Sequence, residues 1–252
     1  MAIHIKSAAD IEKMRVAGQV VARVHALMAE LIEPGVTTAE LDRAARELIE
    51  AAGGTPSFLG YHGYPASICA SIGPEVVHGI PSDRVLQEGE IVSIDVGAYI
   101  DGFHGDAAVT YPVGAISDEL AALIEASERA FQAGYAQARA GNRVGDISAA
   151  IQASIEGDGY GVVRYYGGHG IGRLMHEDPS VPNYGEPGTG ARLQPGMTLA
   201  VEPMLTLGSP ETRELEDGWT VVTVDGSPAA HYEHTILITD GDAEILTQLP
   251  ES

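Results

Sequence analysis

"LQEGEIVSID", from Leu86 to Asp95, is answered 107 residues later by "LQPGMTLAVE", from Leu193 to Glu202. A second pair of segments keeps nearly the same spacing. "GVTTAELDRAARELIEAAG", starting at Gly35, matches "GNRVGDISAAIQASIEGDG" in pattern, starting at Gly141 and so 106 residues on. Two pairs of segments at nearly one offset point to an internal duplication, and a long period of this kind governs how the rest of a sequence is read. The duplication aligns Asp95 with Glu202. Asp106 and Glu233 then open the similar runs "DAAVTYPVG" and "EHTILITDG".

Working outward from these segments, Ser7 is placed to cap a helix with Ile11, Met14, Val21, Val24, Met28 and Ile32 on one face, ended by Pro34-Gly35. Thr37 or Thr38 caps a second helix that stops at Gly53-Gly54. Strands are expected near 67–72, 76–79, 90–99 and 106–113. A long helix follows Ser117, carrying Leu120, Leu123, Ile124 and Phe131 on its apolar side, and "VGDISAAIQASIEGDG" makes a shorter one. Strands return near 162–167, 197–206, 219–224 and 232–239. No Ser-, Pro- or Gly-rich linker divides the chain. Residues 1–252 therefore read as one α/β (α+β) domain with halves of roughly 7–114 and 117–241.

The totals exclude several classes. With 44% hydrophobic and 20% charged residues among 252, the chain has the composition of a globular protein rather than a disordered one. Its 14 basic and 36 acidic residues give a formal charge of −22, which disfavours direct nucleic-acid binding and anionic membrane surfaces. The same charge suits a protein that binds cations. Cys69 is the single cysteine, so no intrachain disulfide and no thiolate zinc site can form. A reducing, cytoplasmic compartment is the expectation. "MAIHIKSAAD" has neither the basic start nor the apolar run of a signal peptide, and no apolar stretch reaches the ~18 residues of a membrane span.

Two-residue periodicity puts Ser93, Asp95 and Gly97 on one strand face and Val92, Ile94 and Val96 on the other. In the second copy Thr198, Ala200 and Glu202 oppose Leu199 and Val201. One face is bulky and apolar, and the other leaves room around the acids. A carboxylate in such a strand needs its charge cancelled. Four that converge push one another's pKa values up. Divalent cations resolve this, and two ions suit four acids better than one; zinc, manganese, iron and cobalt all accept oxygen-rich ligands with an imidazole. His169, between Gly168 and Gly170, is a candidate imidazole, with His176 seven residues on. "GGHGIG" is not read as a dinucleotide loop, because no clear helix follows and no acidic residue stands at the ribose distance.

Five segments, "GYHGYPASICASIGPEVVHGIP", "IDVGAYIDGFHGD", "GGHGIGRLMHEDP", "PNYGEPGTGARLQPGMTLAVEPM" and "YEHTILIT", occur in this order. The ordered set, which spans essentially the whole chain, resembles the type I methionine aminopeptidases. The resemblance implies a pita-bread fold with a pseudo-two-fold axis, in which a curved antiparallel sheet is flanked by helices. It also implies metal-dependent removal of the initiator methionine from nascent chains whose second residue is small. Carried over position by position, the metal ligands fall on Asp95, Asp106, His169, Glu202 and Glu233, with Asp106 and Glu233 bridging two divalent ions (Co, Mn, Fe, Zn or Ni). Glu202 is implied as the proton acceptor, His176 as the group facing the scissile carbonyl and His78 as the one facing the scissile amide. Tyr61, Tyr64, Cys69 and Trp219 match the methionine pocket, with His62 beside them. Phe58 stands where some members carry Cys, and Met175 departs from the more usual Phe.

The short stretch between His176 and Glu202 favours type I over type II. The nearest rival is a pita-bread peptidase acting beside proline, such as aminopeptidase P or prolidase; a non-catalytic binding protein on the same fold is the other. Substrates are expected to be the N-terminal Met peptides of nascent chains. Affinity for the ribosome should be weak, salt-insensitive or absent, and the chain a monomer.

Overall fold

The computed structural model describes residues 3–249. Helix α1 (Ala8–Leu31) starts at a reciprocal capping box: the Ser7 hydroxyl accepts from the Asp10 N–H, and the Asp10 carboxylate accepts from the Ser7 N–H. Met14, Val21, Val24 and Met28 are buried along it, while Ile32 lies just past its last turn. Helix α2 (Thr38–Ala51) repeats the device with Thr37 and Glu40. Strands β1 (Thr55–Pro56), β2 (Ile68–Ile72), β3 (Glu75–Val77), β4 (Ile91–Ile100) and β5 (Phe103–Pro112) follow. After helices α3 (Asp118–Tyr135) and α4 (Val144–Gly157) come β6 (Gly161–Val162), β7 (Gly167–Gly170), β8 (Glu177–Pro182), β9 (Thr198–Val201) and β10 (Met204–Thr206). The chain closes with β11 (Thr212–Glu214), β12 (Val221–Thr223), β13 (Ala229–His231), β14 (His234–Leu237) and β15 (Glu244–Ile245).

Two antiparallel sheets carry the site. In one, β4 is central, between β2 and the hairpin partner β5, with β1 also pairing to it. The other has the order β15-β14-β9-β7-β8. Helices α1 and α2 pack on the first through a core that includes Val21, Leu41, Ile94 and Val96; α3 and α4 pack on the second through Phe131, Ile151, Leu199 and Ile236. Fully burying each such side chain contributes about 1.5–3 kcal/mol.

Individual contacts repeat at the offset read from the sequence. The Gly35 N–H donates to Leu86 O and the Gly141 N–H to Leu193 O, at 2.9 and 3.0 Å. Leu86 N–H returns to Val36 O as Leu193 N–H returns to Asn142 O, both at 2.8 Å. Gly35 and Gly141 have φ of 103° and 96°, a backbone region that a side chain disfavours.

The sheets meet at a seam between β5 and the link from β13 to β14. Ala108 and Glu233 exchange both backbone hydrogen bonds, at 2.8 and 3.3 Å. On either side the strands diverge, and a threonine hydroxyl fills each gap. Thr235 Oγ1 accepts from Asp106 N–H and donates to Asp106 O; Thr110 Oγ1 accepts from His231 N–H and donates to His231 O.

Several expected strands are broken, each for a local reason. The run 197–206 divides at Glu202-Pro203, because proline lacks the N–H a ladder needs. Beyond it, β10 joins a different sheet, with β13 and β6. The run 232–239 likewise splits around Tyr232-Glu233 into β13 and β14, and 162–167 splits into β6 and β7 around the exposed Tyr165. Strand 76–79 ends at Val77 because His78 takes a left-handed φ of 61°. β8 was not expected; its Pro179 and Pro182 are tolerated because it is an edge strand.

Candidate metal centre

The four acids reach one place by two routes. On the β4–β5 hairpin, Gly97 pairs with Asp106 and Asp95 with Ala108. Asp95 and Asp106 are therefore diagonal neighbours on one face. On the second sheet the β9–β14 ladder ends with Val201 opposite His234, one step before Glu202 and Glu233. Both glutamates sit where the chain leaves one sheet for another. The Ala108–Glu233 backbone pair then locks the two carboxylate sets together.

His169 sits on β7 opposite Ala200. A Cβ on Gly168 would stand 2.2 Å from Ala200 O, and one on Gly170 would stand 2.3 Å from Asp178 O. The flanking glycines thus let β7 lie close against both neighbours. His169 Nδ1 lies 2.9 Å from Gly170 O. A carbonyl only accepts, so Nδ1 carries the proton and Nε2 turns a lone pair toward the acids. Nε2 is 3.6 Å from Glu202 Oε1 and 3.9 Å from Asp106 Oδ2.

The electrostatics describe a site short of positive charge. Burial pushes the Asp95 carboxyl up to about 7. Burial and then the neighbouring carboxylates raise Asp106, Glu202 and Glu233 well above the usual range. Burial depresses His169 and His231 to about 3, so both imidazoles are neutral and able to ligate. Among the described residues, seven buried side-chain N or O atoms lack a hydrogen-bond partner, and four of them belong to Asp95, Asp106, His231 and Glu233. Orphaned oxygens of this kind beside a free imidazole nitrogen fit a divalent cation. The ligand atoms of Asp106, His169 and Glu233 lie within 4.8 Å of one another. The donor set fits the ions that the resemblance implies.

The candidate residues read from the sequence line one cavity of about 160 Å³, with the exception of His62. His62 is exposed, with φ of 48°, and packs its ring edge-on against Tyr61 outside the lining. Through Tyr61 it stands at the edge of the site, near His176. Away from the acids the wall is apolar: Phe58, Tyr64, Cys69 and Met175 are all buried. Tyr64 donates its hydroxyl to the carbonyls of Ile68 and Gly79 and meets Trp219 edge-on at 5.0 Å, which fixes the end of this slot. Burial raises the Cys69 thiol well above its ordinary value, so it is a neutral lining group and not a thiolate.

Two histidines stand where slot and acids meet. His176 lies at the rim, its Nδ1 2.8 Å from Tyr61 Oη and its ring centroid 4.2 Å from that of His169. His78 holds its left-handed backbone with its ring between Tyr166 and Trp219, and burial depresses it to about 4.

Sequence reasoning missed three groups. Lys6 donates to Glu177 Oε2 at 2.6 Å in a buried ion pair, and Glu177 Oε1 accepts from the N–H groups of Arg173 and Leu174. The pair therefore anchors the turn that presents His176. Thr110 and Thr235 give no signal outside their three-dimensional setting. His231 had a signal, two residues before Glu233 as its counterpart His104 stands two before Asp106, but His104 is half-buried with its Nδ1 2.9 Å from Ser57 Oγ, whereas His231 is buried against the acids.

Comparison with known proteins agrees with this geometry. Metallopeptidase family M24 matches residues 12–240. The methionine aminopeptidase of Clostridium acetobutylicum is 53% identical over 246 residues, covering 97% of this chain and 98% of that protein. The solved structure of a methionine aminopeptidase from Thermotoga maritima superposes with a TM-score of 0.97 at 46% identity, covering 98% of this chain and all of that one. A prolidase from Pyrococcus furiosus shares the fold alone, with a TM-score of 0.80 at 23% identity, and this chain covers 66% of its length. The fold is the pita-bread fold of these structures.

Proposed function

We infer the reaction from the premise that this chain belongs to metallopeptidase family M24: it is a metal-dependent exopeptidase, a hydrolase that removes N-terminal methionine. The observation that carries the reading is the meeting of four carboxylates, buried at Asp106 and Glu233 and half-buried at Asp95 and Glu202, and an imidazole with an apolar slot in one cavity. Asp95, Asp106, His169, Glu202 and Glu233 would hold two divalent ions, drawn from Co, Mn, Fe, Zn and Ni. When bound, the ions supply Lewis acidity and an activated water at neutral pH.

The remaining roles fall to side chains. The methionine side chain enters the slot of Phe58, Tyr61, Tyr64, Cys69, Met175 and Trp219, where a thioether gains favourable contacts with aromatic rings. The free α-amine then lies toward the acids, which makes the enzyme an exopeptidase. Tyr61 donates its hydroxyl to His176 Nδ1, leaving the ring proton on Nε2 to donate to the scissile carbonyl oxygen as negative charge develops. His78 contacts the scissile amide. Glu202 accepts the proton released by the attacking water and returns it to the leaving amine.

Both halves furnish ligands to one centre, which supports reading them as a single catalytic domain. The substrates are nascent chains with Met first and a small second residue. No helix among the described residues is long and apolar enough to cross a membrane. The reading places the enzyme in the cytoplasm as a monomer, with a charge of −22 that keeps ribosomal RNA contacts weak.

Chelator-stripped protein resupplied with Mn²⁺ or Co²⁺ should cleave Met-Ala-Ser and leave Xaa-Pro peptides intact. No cleavage of Met-Ala-Ser under any of the five ions refutes the reading. Preference for Xaa-Pro peptides would transfer it to the proline-specific peptidases.

A further inference from the structure

His231 has no place in the five-ligand centre, yet its imidazole is 2% exposed and its Nε2 has no hydrogen-bond partner. That atom is 3.7 Å from Glu202 Oε2 and 3.7 Å from Glu233 Oε2. Both distances exceed hydrogen-bonding range. They match a different interaction: ligands bound at ~2.0–2.2 Å around one ion stand about 3.4 Å apart when tetrahedral. His169 shows the same spacing on the other side of Glu202, at 3.6 Å from Oε1. Glu202 thus presents one oxygen to each imidazole. The ligand atoms of Glu202, His231 and Glu233 lie within 4.8 Å of one another, as do those of Asp106, His169 and Glu233. The His231 backbone is fixed by its two bonds to Thr110, so the ring is held against the acids by the seam itself.

We propose that Glu202, His231 and Glu233 form a third divalent-cation position beside the metal pair, filled only at higher cation concentration. The proposal rests on the two-ion reading above, since it shares two carboxylates with that centre. Four carboxylate charges are already matched by two divalent ions. A third ion therefore gains little net attraction and depends on the neutral imidazole of His231, so its affinity is at least about tenfold weaker than that of the pair. Its chemical class is a borderline cation that accepts both oxygen and imidazole nitrogen, such as Mn²⁺, Co²⁺ or Zn²⁺. Because it takes Glu202 Oε2, it withdraws an oxygen from the proposed proton acceptor. Hydrolysis then falls as the position fills, which makes the triad an inhibitory site.

The test is equilibrium dialysis of the full chain against Mn²⁺, with anomalous diffraction from crystals soaked at high Mn²⁺. Wild-type protein should take up a third, weaker equivalent, with an anomalous peak ~2.0–2.2 Å from His231 Nε2. His231→Gln should stop at two equivalents and lose the fall in hydrolysis at high Mn²⁺. Wild-type protein that saturates at two, or a third peak away from His231, overturns the proposal whatever the variant does. A third equivalent retained in a folded His231→Gln overturns it as well. Failure of this idea is separable from failure of the aminopeptidase reading. The first leaves Met-Ala-Ser hydrolysis with two ions intact, and the second abolishes hydrolysis with the ions bound.

Discussion

Replacing Asp95 by Asn should stabilise the metal-free protein at pH 8 and weaken the metal-loaded one. Without ions, burial pushes the Asp95 carboxyl up to about 7 from an ordinary 3.8. A rise of this size corresponds to about 4 kcal/mol. The sign follows from the direction. A carboxyl with a raised folded-state pKa holds its proton more tightly in the native protein. That relative advantage is complete below pH 3.8 and is lost as pH rises through about 7. Whole-protein stability mixes this with the histidines, whose depressed pKa values at His25, His169, His231 and His234 work against the fold at acid pH. The difference between wild type and Asp95→Asn removes the histidine contribution and reports Asp95 together with the relief its loss gives Asp106, Glu202 and Glu233. Urea unfolding in chelator should show Asp95→Asn gaining on wild type by up to about 4 kcal/mol between pH 4 and pH 8. With Mn²⁺ at pH 8 the order should reverse, because the ion binds only the ionised site. A wild-type minus variant difference that stays level from pH 4 to pH 8 in chelator would refute the claim that burial without cations strains this acid.

His176→Ala should lower kcat by about 10²–10³ with metal content and KM little changed, the loss of one donor to a developing oxyanion; a fall in bound Mn²⁺ would instead make His176 a ligand. Lys6→Met leaves Glu177 as an unpaired buried charge, at a cost of about 3–5 kcal/mol in urea unfolding, and Lys6→Met/Glu177→Gln should recover part of it. Equal stability of the single and double variants would show that the pair is not electrostatically coupled. Thr235→Val removes both hydrogen bonds to the Asp106 backbone and should destabilise the fold by about 1–3 kcal/mol while weakening Mn²⁺ affinity. An unfolding midpoint within error of wild type would remove the threonine from its bridging role.

Residues whose meaning is set within their own strand were legible in advance; residues whose meaning depends on a distant partner were not. The Ser7 and Thr37 caps, the Asp95 face of β4 and the contacts at Gly35 and Gly141 are local or repeated, and periodicity reaches them. The expected continuous strand over 197–206 ignored Pro203, and β8 was hidden by its own prolines because its edge position could not be known. His62 entered through the resemblance; it is exposed, with a left-handed backbone, beside Tyr61. Lys6 and Glu177 stand 171 residues apart, and Thr110 and His231 stand 121 apart. No window of sequence joins them.

The duplicated frame also explains why one cavity has two chemically different ends. Strand β2 flanks β4 as β7 flanks β9, each antiparallel to the strand that leads to an acid. On β2 the residue opposite Asp95 is Cys69, a buried neutral thiol that contributes to the apolar slot. On β7 His169 stands opposite Ala200, the counterpart of Ser93, and its Nε2 faces Glu202 and Asp106. The acids are alike in both halves, so they alone would make a symmetric cluster with no preference for the orientation of a peptide. The sulfur on one flank and the imidazole on the other break that symmetry. On the proposed function, the methionine side chain lies toward β2 and the α-amine toward the acids. Exchanging the thiol for an imidazole would put a second ligand where methionine has to fit, and selectivity for the side chain should fail before metal binding does.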